Sequence, residues 1–242
     1  MTPHRLTGAA LFVCAATLAG AGPAPANAEL IASLMSFLGI SATPSQMKAP
    51  DALTVGDIWI ADAGRNARAP LTSDGGYSWP VFDPGGERIL ALKGSDVLEI
   101  PLAGGPARRL ASAARITKLI GFDRARPGQV LVLRAEPNAE IAVLSLADGQ
   151  VTAIAYDPRS SEAGTFLAHL RGEERAYGDT VLYVRKETRN EVTGDVLEWT
   201  DVFVKEGDKR PRNISQCEGA NCRQPSLSAD GDRIAFVRSP RN

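Results

Sequence analysis

The chain has 242 residues, 44% hydrophobic and 23% charged, with 27 Lys and Arg against 28 Asp and Glu and a net charge of -1. These values exclude a disordered, collagenous or coiled-coil chain, and so even a balance gives no general attraction to nucleic acid or anionic lipid. Aromatics make up only 6%, so a core must rest on Val, Ile, Leu and Ala.

Residues 1–28 read as a secretory signal peptide. His4 and Arg5 form a short basic start, Leu6 to Gly20 is apolar and small-residue, and Ala26-Asn27-Ala28 is a small-x-small cleavage site. The apolar run is shorter than the roughly 20 residues of a spanning helix. Cys14 follows Val13, where a lipid-attachment box wants a small residue. The expected location is periplasmic or secreted, with no stable membrane span after cleavage; the alternative is an uncleaved anchor.

Residues 29–55 read as a short helix and a linker. Leu30, Ile31, Leu34, Met35, Phe37, Leu38 and Ile40 recur at a spacing that gives a helix a broad apolar face. Ser41-Ala-Thr-Pro-Ser then reads as a linker. The helix either packs onto the domain that follows or docks to an envelope partner, and both readings stay open.

From residue 56 a repeat runs through the chain. Residues 79–92, WPVFDPGGERILAL, and 224–237, QPSLSADGDRIAFV, share Pro, a strand, a Gly-containing turn, Arg-Ile and a second strand. The Gly supplies the positive φ such turns demand. Weaker copies lie at 117–133 and 165–184. A second strand–turn–strand element alternates with the first, at 57–72, 96–111, 140–155 and 201–215, with inserts near 157–163 and 186–200. Four strands in about 40 residues is the period of a propeller blade. The pattern begins with an outer strand pair and ends with an inner one. Pairing the N- and C-terminal strands would complete one blade and close a ring of about four.

The repeat resembles that of TolB-like β-propellers. Ile58, Trp59, Asp62, Asn66, Leu71, Thr72, Pro80, Phe82, Pro84, Gly85 and Ile89 sit in register with it, as do Pro225, Ser228, Asp230, Gly231, Ile234, Ala235 and Phe236. The resemblance implies an all-β propeller over 56–242 and a role in the cell envelope. Four blades is the low end of known rings and below the family's own count.

Catalytic patterns are sparse. His169 is the single histidine after the signal segment, so any Ser-His-Asp triad must recruit it, and there is no Gly-x-Ser-x-Gly elbow. Cys217 and Cys222, spaced Cys-Glu-Gly-Ala-Asn-Cys, suit a small disulfide loop in an oxidising compartment; free thiols are the alternative. Two sulfurs without a nearby His do not fill a zinc shell. No metal or other cofactor is expected.

Innermost strands line a propeller's channel, and they are expected near 77–82, 115–122, 165–170 and 224–228. Tyr77, Trp79, Lys118, His169 and Gln224 would then form a mixed aromatic and polar channel mouth, with Tyr77 and Trp79 packing between blades as the alternative. The expected function is an exported, non-catalytic interaction module for an envelope protein. Alternatives are a small-molecule or glycan binder in the channel, then a hydrolase or lyase. No nucleic-acid partner is expected.

Overall fold

A computed structural model describes residues 54–65, 67–112, 115–122, 128–134, 140–153 and 175–241. All belong to one unit, Ala49–Asn242. The signal segment, the expected helix at 29–40, its linker up to residue 53 and His169 lie outside the described residues. So does the expected inner strand at 165–170.

The described residues are all-β, without a helix. β1 (Asp57–Asp62) and β2 (Arg68–Pro70) form the first hairpin. β3 (Tyr77–Phe82), β4 (Arg88–Lys93), β5 (Asp96–Pro101) and β6 (Arg108–Ser112) make a four-stranded antiparallel meander. β7 (Ile116–Phe122), β8 (Gln129–Arg134), β9 (Glu140–Ser145) and β10 (Val151–Ala153) make a second. β11 (Arg175–Tyr177), β12 (Thr180–Asn190), β13 (Val196–Glu206) and β14 (Arg212–Asn213) follow. β15 (Ala220–Leu227) and β16 (Arg233–Pro240) end the chain's strands.

The terminal strands pair as expected. β1 runs antiparallel to β16 from Asp57↔Arg238 to Asp62↔Arg233, so β15-β16-β1-β2 is one continuous run of strands. Gly56 enters this seam where only glycine fits: a Cβ there would lie 2.2 Å from the Arg238 carbonyl oxygen.

The repeat's turns match in atomic detail. Asp83 and Ser228 hold equivalent places. Each bonds its backbone N–H and C=O to the same relative partners, Arg88 and Gly86 in one copy and Arg233 and Gly231 in the other. Each side-chain oxygen accepts from the arginine N–H that starts the next strand, at 3.0 and 2.9 Å. Gly86 and Gly231 supply the positive φ, 68° and 81°.

Alternation along the strands builds the core in layers. Leu90, Leu92 and Val97 of the first meander pack on Leu119, Val130, Val132 and Leu144 of the second. Ile58 and Ala235 of the terminal run pack on Phe82, Ile89 and Ile100. Its other face places Ala61, Ile234 and Phe236 against Leu182, Val202 and Val204. No apolar cluster joins the second meander to β11–β14 among the described residues.

Among the described residues the sheets are open, and closure into the expected ring of about four blades is not seen. The third unit also departs from a separate blade. β13 touches β15 through a parallel bridge, Thr200↔Asn221, which merges the last two units into one eight-stranded sheet. The Asn221 carboxamide oxygen accepts from the Thr200 N–H at 3.1 Å and reinforces this join. The expected insert at 186–200 is the far half of the β12–β13 hairpin, which stays paired from Thr180↔Glu206 to Asn190↔Val196.

Ile58 is completely buried in the seam. We expect Ile58→Ala to lower unfolding free energy by about 2–5 kcal/mol, read as a shift in urea midpoint. A shift equivalent to under about 0.5 kcal/mol would show that the seam is not part of the folded core.

Candidate functional site

Trp79 and Gln224 occupy the same place in two copies of the repeat, each just before a proline. Both have positive φ, 52° and 57°, and at both the strand pairing slips, between Ser78 and Val81 and between Arg223 and Ser226. Proline cannot donate to a ladder and is at home in such a bulge. A left-handed non-glycine residue costs on the order of 1–3 kcal/mol, so surrounding bonds must hold it. Here the Gln224 side chain accepts from the Trp79 N–H at 2.7 Å and donates to the Thr54 carbonyl at 3.0 Å.

The bulge separates two aromatics that simple alternation would place side by side. Tyr77 is 4% exposed and packs with Ile58, Phe82 and Ile89. The Lys93 ammonium lies 4.2 Å from its ring centroid. Burial, and then the Asp74 carboxylate, push the Tyr77 phenol above its ordinary range. Trp79 turns instead to Lys118, whose ammonium is 4.2 Å from the indole centroid. Among the expected mouth residues, then, the structure brings together Trp79, Lys118 and Gln224 and leaves Tyr77 apart.

Arg175 joins the cluster. It heads β11, is 2% exposed, and its guanidinium lies 5.9 Å from the Trp79 ring. It donates to the carbonyls of Ile120 and Leu119 of β7, the latter at 3.2 Å. The Tyr177 hydroxyl accepts from the Leu227 N–H at 3.3 Å, tying β11 to β15. Thus β3, β7, β11 and β15 meet around one indole. Sequence reasoning missed Arg175 because the inner strand was expected at 165–170. The available signal was the tight Tyr-Gly-Asp-Thr turn at 177–180, which makes 175–177 the partner of β12.

The cluster is cationic and packed. Lys118 is 5% and Gln224 2% exposed; Trp79 is only partly buried. The indole face attracts both cations through its quadrupole. The Trp79 Nε1 is buried without an acceptor among the described residues. Among the described residues, no group of three or more His, Cys, Asp or Glu is placed to hold a metal there.

The expected disulfide is present. Cys217 and Cys222 are joined, and both are buried. Asp201, 1% exposed, anchors the loop. Its carboxylate accepts from the Cys217 N–H, the Ser215 hydroxyl, the Asn213 amide and the Trp199 indole, at 2.6–2.9 Å.

No protein-family model matches the chain, and no curated protein does. Among solved structures it is similar to a "putative TolB from Agrobacterium tumefaciens", at 14% identity and a TM-score of 0.37, over 74% of this chain and 60% of that one. It is also similar to the ligand-free AtxE2 isopeptidase, at 15% identity and a TM-score of 0.29, over 83% of this chain and 35% of that one. The chain thus spans less than two thirds of either structure. Both likenesses are distant, and neither assigns a residue role.

Gln224→Leu keeps the side chain's bulk and leaves the Trp79 N–H without its acceptor. We expect a loss of about 1–3 kcal/mol in unfolding free energy, with a change in Trp fluorescence of the folded state. Unchanged stability would mean that the bulge is held by other contacts.

Proposed function

We propose that the chain is an exported, non-catalytic interaction module. In this reading it is a TolB-like propeller of about four blades that presents its inner-strand face to a protein of the cell envelope. One observation carries the reading: Trp79, Lys118 and Arg175 converge where β3, β7, β11 and β15 meet. Four strands from four repeats converging on one point is the layout a propeller's inner strands require. A partly exposed indole at this junction is a suitable anchor for a partner protein. The buried disulfide supports an oxidising compartment. The signal-like residues 1–28 support the same location.

A photoreactive amino acid at position 79, placed in the living envelope, tests this directly. We expect one dominant envelope protein to be crosslinked, and its yield to fall several-fold when Lys118→Gln is added. Absence of any protein adduct from a folded, correctly exported variant would overturn the interaction reading.

A further inference from the structure

A second surface lies between the terminal run of strands and the disulfide loop. It is an open groove of about 530 Å³ lined by Trp59, Ala67, Arg68, Ser215, Gln216 and Arg238. That volume falls within the roughly 300–1,000 Å³ of ligand sites. No carboxylate among the described residues lines it. The Arg68 guanidinium bonds the neutral Gln216 side chain at 2.9 Å, and that of Arg238 lies 4.9 Å from the Trp59 ring centroid. Neither makes a salt bridge among the described residues. Four other arginines, Arg88, Arg108, Arg109 and Arg212, each meet an Asp or Glu. Two guanidiniums without a carboxylate in a protein of net charge -1 mark a local positive site.

The groove's lip is built to stay in place. Gln216 is a non-glycine residue at φ 44°. Its N–H donates to the Asn213 carboxamide oxygen at 2.9 Å, and the next N–H, of Cys217, donates to buried Asp201 at 2.6 Å. The disulfide closes the loop just beyond. A fixed lip costs a ligand little ordering entropy. The opposite wall is the sheet face of β16, β1 and β2, which carries Arg238, Trp59 and Arg68 on three neighbouring strands. An extended peptide presents its alternate side chains on one face.

From these observations we propose that the groove binds an extended acidic peptide segment of a partner protein, lying across the face of β16, β1 and β2. Its carboxylates meet Arg68 and Arg238, in the paired N–H···O geometry that guanidinium favours, and the peptide chain covers the exposed side of Trp59. The groove shares no residue with the Trp79 cluster, so it can fail or succeed independently of the inner-strand reading.

The probe is a fluorescein-labelled decapeptide of alternating Glu and Val, titrated by anisotropy at low ionic strength with the full mature chain. We expect saturable binding that weakens steeply with salt and is absent for the Gln/Val counterpart. Arg68→Gln with Arg238→Gln should weaken it about tenfold or more, whereas Arg109→Gln in the first meander should leave it unchanged. If the double variant does not fold, exposed Arg68→Gln alone should weaken binding about threefold. Three results would overturn the proposal: no binding at low salt, equal binding by the variants, or displacement of the peptide by equimolar inorganic phosphate, which would make the groove a small-anion site.

Discussion

The fold depends on pairing two strands from opposite ends of the described chain. β1 pairs with β16 over six residue pairs, and the core cannot assemble without that register. One face of the β1–β16 pair supplies Ile58 and Ala235 to the first meander, and the other supplies Ala61, Ile234 and Phe236 to the β12–β13 side. A slip of one residue would exchange these two faces. Gly56, pressed against the Arg238 carbonyl, leaves little room for such a slip. Local meanders form between neighbours in sequence, but this seam closes a loop of nearly the whole domain. That makes it a late and costly contact in folding.

Arginines tie the strands of different repeats together alongside the apolar packing. Arg175 donates to β7 carbonyls, Arg212 to Ala63 in the β1–β2 turn, and Arg233 to Gly86 in the β3–β4 turn. The Arg175 and Arg233 guanidiniums cross from one sheet to the backbone of another, and that of Arg212 joins distant strands of the eight-stranded sheet. Backbone carbonyls at turns and bulges have lone pairs that no ladder uses, and a planar donor fork reaches them without demanding a carboxylate. Among the described residues the second meander meets β11 through such a contact, and no apolar cluster joins them. This explains how four inner strands can meet at one indole while the sheets around them stay open.

Much of this architecture was legible because it rests on local chemistry. DPGG and SADG dictate the same turn, and the two turns share their main-chain bonds and the side-chain acceptor for the arginine N–H. The unpaired strand sets at the two ends pointed to the β1–β16 seam. Cysteine spacing pointed to the disulfide. What was not legible depends on tertiary contact. Period-two reasoning put Tyr77 and Trp79 on one face, but a left-handed residue before proline turned them apart. Both Trp79-Pro80 and Gln224-Pro225 carried that signal. Arg175 was hidden in a copy of the repeat whose strand boundaries had drifted. The 186–200 stretch was charged enough to read as an insert, yet cross-strand pairs such as Lys186 with Glu198 let it continue as a hairpin.

The disulfide loop links two of these departures. Cys222 is already in β15, and Cys217 is held to β13 through Asp201. Closing the bond between them draws the start of β15 toward β13 and sets Asn221 beside Thr200. A pair of blades thereby becomes one sheet. The same closure leaves Gln216 in a left-handed conformation facing Arg68 across the groove. A buried carboxylate with four donors and no cation bonded to it among the described residues is an expensive anchor unless it is fully satisfied. Asp201 is satisfied only while Ser215 and Cys217 stay where the loop puts them. The join between the last two units and the shape of the groove's lip are therefore one structural event, set by two cysteines and an aspartate.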